Sequence, residues 1–293
     1  MGRARRDVPL DRRIPRWSAL LLARLAQDRP GVLTRDDVAA YLSEIGAERD
    51  VTTTIQDLVR LGWLTSSHLH GVWIYMPPGE SDIVDPYLDL RAWRAKDSTV
   101  VLALAGEAAA WHLGYLDRRF DGPIAIWLPQ GARPPFGIRP FVSVVRLGWD
   151  RDAARNIGPS RPLLRRRRLD LTSWAGGLPA FGPEALLVQL ATRPGSFRPW
   201  ADLVAHLSDL ANDCEPSRLI ELLEDQSTSA WQRAGYLLQC GGAAQHAREI
   251  LAHRPHERIV HVALGDGPGG EYSSQFGVTD RLVAPLLARV GKA

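Results

Sequence analysis

The sequence predicts an α+β protein in two domains, and three observations lead there. Within the first 76 residues three helical periods are followed by two short β-rich runs. Next comes "PPGESDIVDP", Pro77 to Pro86, whose proline, glycine and acidic content reads as a linker. Beyond it strand-like and helix-like segments occupy separate stretches instead of alternating, which argues against a parallel βαβ sheet. At 293 residues the chain is long enough for each part to bury its own core. The expected domains are residues 1–78 and 84–293.

The first sixteen residues, "MGRARRDVPLDRRIPR", set Arg3, Arg5, Arg6, Arg12, Arg13 and Arg16 against Asp7 and Asp11 without periodicity, and read as a basic arm. Pro15 then opens a helix with Trp17, Leu21, Leu22 and Leu25 on one stripe, closed by Pro30-Gly31. Thr34 and Asp37 form a capping box for a second helix, whose apolar face is Val38, Leu42 and Ile45 and whose stop is Gly46. A third helix begins near Val51. At 100° per residue Val51, Ile55, Leu58, Val59 and Gly62 share one side, leaving Thr53, Gln56, Asp57 and Arg60 opposite. "WLTSSH" and "VWIYM" follow as strands, with "LHG" at the hairpin tip. Three helices and a hairpin, two of the helices joined by a short glycine-containing turn, read as a winged helix-turn-helix.

After the linker come an apolar run "TVVLAL", a helix around "AGEAAAWHLG", strands at "GPIAIWLP" and "FVSVVRL", and a strand at "LLRRRRLDL". From Pro183 the pattern turns helical through "PEALLVQLA", "PWADLVAHLSDLA", "EPSRLIELLED", "SAWQRAGYLLQCGG" and "AAQHAREILA". A strand at "RIVHVALG" and a glycine-rich loop precede the end.

Composition narrows the chemistry. Cys214 and Cys240 have neither the number nor the spacing of a disulfide framework or a zinc site. His246, His253, His256 and His261 lack ligand spacing, "GDGPGG" lacks the Lys-Ser/Thr of a phosphate loop, and no nucleophile–base set stands out. The expectation is a cytoplasmic protein that is not an enzyme and carries no metal or cofactor. Its basic side chains are arginines except Lys96 and Lys292, planar forks suited to phosphate. On the third helix Thr52, Thr53, Gln56 and Arg60 are candidate base readers, since arginine pairs with guanine and glutamine with adenine edges. Asp57 sits among them and would repel phosphate unless it accepts from cytosine or pairs with Arg60. His68 and His70 at the hairpin tip stand between a phosphate contact and mere exposure. Arg165, Arg166, Arg167 and Arg168 form the densest charge, either guarding a strand edge or meeting a second polyanion or an acidic partner.

Taken in order, "VTTTIQDLVRLGWLTSSHLHGVWIY", "AGEAAAWHLGYL", "GPEALLVQLA" and "AWQRAGYLLQCGG" give the chain a pattern that resembles the AbiEi-type antitoxins of abortive-infection toxin–antitoxin systems. The likeness covers nearly the whole length. It departs at Ala185 and Gln189, where the family commonly has an arginine and an aspartate. The resemblance implies a larger mixed α/β antitoxin domain after the winged helix. It implies binding to double-stranded operator DNA that represses the protein's own operon, and action against a neighbouring nucleotidyltransferase-like toxin, with direct contact between the two left open. Arg165–Arg168 are the candidate antitoxin surface. The alternatives are a ligand-responsive winged-helix regulator with no toxin partner and an enzyme with a DNA-targeting module.

Overall fold

A computed structural model describes residues 12–80, 85–158, 178–255 and 259–290. It is a mixed α/β structure with three small sheets among its described residues. Contacts divide the chain into two units: Met1–Val100 with Pro134–Arg139, and Val101–Arg133 with Pro140–Ala293.

In the first unit a 3-10 turn at Arg16–Ser18 leads into α1, Ala19–Asp28. The helix stops at Arg29, whose φ of 47° is left-handed, just before Pro30 removes the next amide donor. β1, Val32–Thr34, follows. It is too short to show a period, and sequence patterning does not announce it. Thr34 then caps α2, Arg35–Glu44, through the expected reciprocal bonds with Asp37. Asp50 caps α3, Val51–Arg60, by accepting the Thr53 amide at 2.7 Å. β2, Leu64–Ser66, and β3, Val72–Tyr75, complete an antiparallel sheet of order β1-β3-β2.

Alternation along the strands gives this sheet two buried faces. Leu33, Leu64 and Tyr75 join Leu21, Leu25, Val38, Leu42, Ile55 and Leu58 in the helical core. Val32, Ile74 and Met76 point the other way and meet Leu88 of a helix absent from the sequence expectation, α4, Leu88–Lys96. That helix follows the expected linker, yet it packs on β1 and β3 and belongs to the first unit.

The second unit begins with β4, Ala103–Leu104, all that forms from the apolar run "TVVLAL". A parallel bridge from Leu104 to Ala180 adds the extended segment before the central helix. α5 spans Gly106–Leu113, β5 Ile124–Trp127 and β6 Val142–Val145, in sheet order β4-β5-β6 with β5 and β6 parallel. α6, Pro183–Thr192, is buried from Pro183 to Ala191. Around it and in the rest of the unit are α7, Trp200–Val204, α8, Leu207–Asp213, α9, Pro216–Leu223, α10, Thr228–Cys240, and α11, Ala244–Ala252. The stretch read as one helix from "PWADLVAHLSDLA" is therefore two, broken at Ala205 and His206.

The end of the chain is more ordered than a glycine loop. β7, Val262–Leu264, β8, Glu271–Ser273, and β9, Val278–Asp280, form a sheet of order β7-β9-β8, followed by α12, Val283–Val290. Asp280 is fully buried and caps α12, accepting amides of Leu282, Val283 and Ala284 and the Tyr236 hydroxyl, all within 2.8 Å. The expected strand at "LLRRRRLDL", with Arg165, Arg166, Arg167 and Arg168, lies outside the described residues.

Candidate nucleic-acid interface

The site is built on α3. Thr54, Ile55 and Leu58 are buried, which fixes the helix rotation and leaves Thr52, Thr53, Gln56 and Arg60 exposed along the opposite side. The Arg60 side chain is 77% exposed. Its guanidinium donates to Asp57 Oδ1 at 2.8 Å, while Asp57 Oδ2 takes a bond from Arg49. Arg49 in turn lies 3.8 Å from the centre of the Trp17 ring, so the carboxylate is clamped between a fixed arginine and an exposed one. The Thr53 amide and hydroxyl hold the Asp50 carboxyl below the usual range at the helix start.

Beside α3 the β2–β3 turn is tightly tied. Ser67 accepts the Leu69 amide, Leu69 is buried, and Gly71 takes a φ of 82° that favours glycine. Between this turn, β3 and α3 lies a hollow of about 560 Å³. Its lining joins the buried or half-buried Ile55, Val59 and Trp73 to the exposed Arg35, Thr52, Gln56, Arg60, Ser66 and His70. Arg35, Ser66 and Trp73 were not singled out from the sequence, because their approach to α3 depends on pairing between β1, β3 and β2.

The other candidates are distributed unevenly. His70 is exposed on the hollow, and its carbonyl accepts Lys96 Nζ at 2.7 Å. His68 turns away from α3, its Nδ1 2.9 Å from Asp89 Oδ2 on α4. Arg12 is bound inward, donating to the carbonyls of Met76, Pro77 and Glu80 and lying 5.1 Å from the centre of the Trp63 ring. The Arg13 carbonyl accepts Trp63 Nε1 at 3.1 Å; the Arg13 and Arg16 side chains are exposed. Arg3, Arg5 and Arg6 lie outside the described residues. Among the described residues no group of three or more His, Cys, Asp or Glu side chains is placed to hold a metal ion, and no helix is long and apolar enough to cross a membrane.

Residues 100–240, beginning where contacts separate the units, match the family model of the AbiEi antitoxin C-terminal domain. The protein is thus of the antitoxin class, whose members act against a toxin partner. The chain belongs to the AbiEi-type antitoxin family. It is similar over nearly its whole length to the RV2827C protein from Mycobacterium tuberculosis, known from a crystal structure. The identity is 49%, the alignment covers 97% of this chain and 98% of that one, and the TM-score is 0.84. No match was found among curated proteins.

Proposed function

We propose that this antitoxin binds the operator of its own operon through the first unit, acting as a winged helix-turn-helix, and that the second unit opposes a nucleotidyltransferase-like toxin encoded beside it. The observation that carries the DNA half is the exposed side of α3. There Thr52, Thr53, Gln56 and Arg60 stand together on a helix anchored by Ile55 and Leu58, next to the β2–β3 turn. The order α1, α2, α3, β2, β3 suits a reading helix preceded by its supporting helix and followed by a wing. The Arg60 fork matches guanine N7 and O6, and the Gln56 amide matches adenine N7 and N6.

Asp57 is the objection to this reading, and its clamp answers it. With Arg49 on one oxygen and Arg60 on the other, its charge is compensated before any phosphate approaches. Arg12 and His68 hold the scaffold, and Arg3, Arg5, Arg6, Arg13 and Arg16 supply sequence-independent attraction. The toxin half rests on the family, with Arg165–Arg168 kept as the candidate surface. Neither half requires catalysis or a cofactor.

Footprinting of the upstream region tests the first half. Gln56→Ala should weaken operator binding by about 1–3 kcal/mol while binding to random-sequence DNA changes little, and Arg60→Ala, which also uncovers one Asp57 oxygen, should weaken operator binding by more than it weakens random-sequence binding. Equal losses on both DNAs would remove base reading by α3. Co-expression with the adjacent open reading frame tests the second half, and should restore growth that the frame alone arrests.

A further inference from the structure

Between β5 and β6 the chain reads "RPPFGIRP", Arg133 to Pro140, and its middle, Pro134–Arg139, belongs by its contacts to the first unit. Three prolines restrict φ along this stretch, so little freedom remains to be lost on binding. The Pro135 carbonyl accepts the Ile138 amide at 3.1 Å and the Arg139 amide at 3.2 Å, and Ile138 is fully buried. Gly137 lies so close to the β2–β3 turn that a Cβ there would fall on the His68 carbonyl oxygen. On this pinned base stands Phe136, 85% exposed, the most exposed large hydrophobic side chain among the described residues. Arg133 and Arg139 are exposed on either side of it.

We propose that Phe136 is an apolar wedge for DNA, entering the minor groove beside the β2–β3 turn and unstacking one base step while Arg139 meets a flanking phosphate. The proposal rests on the DNA-binding reading of the first unit. Minor-groove proteins use apolar side chains in this way, and the bent duplex then reaches more protein surface. A wedge must be held stiffly, and the prolines, Ile138 and the Gly137 seat on the turn provide that. With α3 in the major groove, a wing borders the adjacent minor groove, and the loop that bears Phe136 is seated at Gly137 against the wing's turn. The exposed Arg139 beside the ring supplies the positive charge that a phosphate backbone attracts.

The test uses the full chain, a duplex from the region upstream of its gene with 2-aminopurine substituted at successive positions, and a random-sequence duplex of equal length. The wild type and Phe136→Trp should raise fluorescence at one step. Phe136→Ala should abolish the rise and weaken binding about 5- to 150-fold, the worth of one base–aromatic stack. Gly137→Ala, which keeps the phenyl ring but must displace the loop, should abolish the rise as well, with folding checked by circular dichroism. If Phe136→Ala behaves as wild type while Gln56→Ala and Arg60→Ala bind weakly, the wedge is overturned and reading by α3 stands. If the wild type binds neither duplex, the DNA-binding reading falls and takes the wedge with it. If Phe136→Ala keeps its DNA behaviour but no longer rescues growth from the toxin, Phe136 faces protein and the wedge is wrong.

Discussion

Glu184 shows how a single buried charge shapes this protein. It lies on α6 with 2% exposure, accepts the Glu215 amide at 2.9 Å through Oε1, and has Arg218 Nη1 3.9 Å from Oε2. Oε2 has no hydrogen-bond partner among the described residues. Burial pushes the carboxyl above its ordinary 4.5. The folded chain therefore keeps a proton that the unfolded chain has released. Stability from this group is greatest below 4.5 and declines as pH rises through the window between 4.5 and the raised value. Glu184→Gln, which retains an oxygen for Glu215, should remove that decline and melt no lower than wild type at neutral pH. Glu184→Ala strands the amide and should cost about 1–3 kcal/mol. Denaturant titrations across the window check both, and identical pH profiles for Glu184→Gln and wild type would show that the carboxyl is not desolvated. The thiols follow similar logic. Burial raises Cys214 well above 9.0 and Cys240 to about 11, so few thiolates form at neutral pH. Iodoacetamide at neutral pH should leave both unmodified in the native protein, as read by mass spectrometry. Labelling of Cys240 should begin only as pH nears 11.

Among the elements, the basic arm divides at Arg12. Deleting residues 2–11 leaves the inward bonds of Arg12 and the Arg13 carbonyl in place. Under the DNA-binding proposal it should flatten the slope of log affinity against log salt by about 0.9 for each phosphate that the arm had neutralised. Arg12→Ala should instead lower the melting temperature and leave the slope nearly unchanged; the reverse outcome would place Arg12 on DNA. Elements whose signals are local were legible in the sequence. The Thr34–Asp37 box starts α2 where expected, and the 3.6-residue period of α3 identifies both its buried and its exposed side. β1 and α4 were not legible, since Val32–Thr34 is strand only because β3 pairs with it and Leu88 is buried only because Ile74 and Met76 face it. The hollow against α3 depends on that same pairing. The inward turn of His68 depends on Asp89 of α4, so no local pattern could announce it.

For the molecule as a whole, the place to cut matters more than the linker's composition. A fragment starting at residue 84 would carry α4 without the sheet residues Ile74 and Met76 that cover Leu88, which is buried in the full chain. We expect residues 101–293, in which only the Pro134–Arg139 loop leaves its unit, to be monodisperse by size exclusion and, under the proposed function, to protect against the toxin without repressing the operon, whereas residues 84–293 should aggregate. Two monodisperse fragments would show that α4 needs no cover. The excursion of Pro134–Arg139 into the first unit has a consequence for exchange between relatives. Recombination at one point near Val100 would transplant a head without the loop seated on its turn, and the new His68-equivalent carbonyl would meet whatever residue the recipient holds in place of Gly137. Viable chimeras therefore need two further junctions, at Arg133 and at Pro140, so the first unit of such a protein is not inherited as one uninterrupted block of sequence.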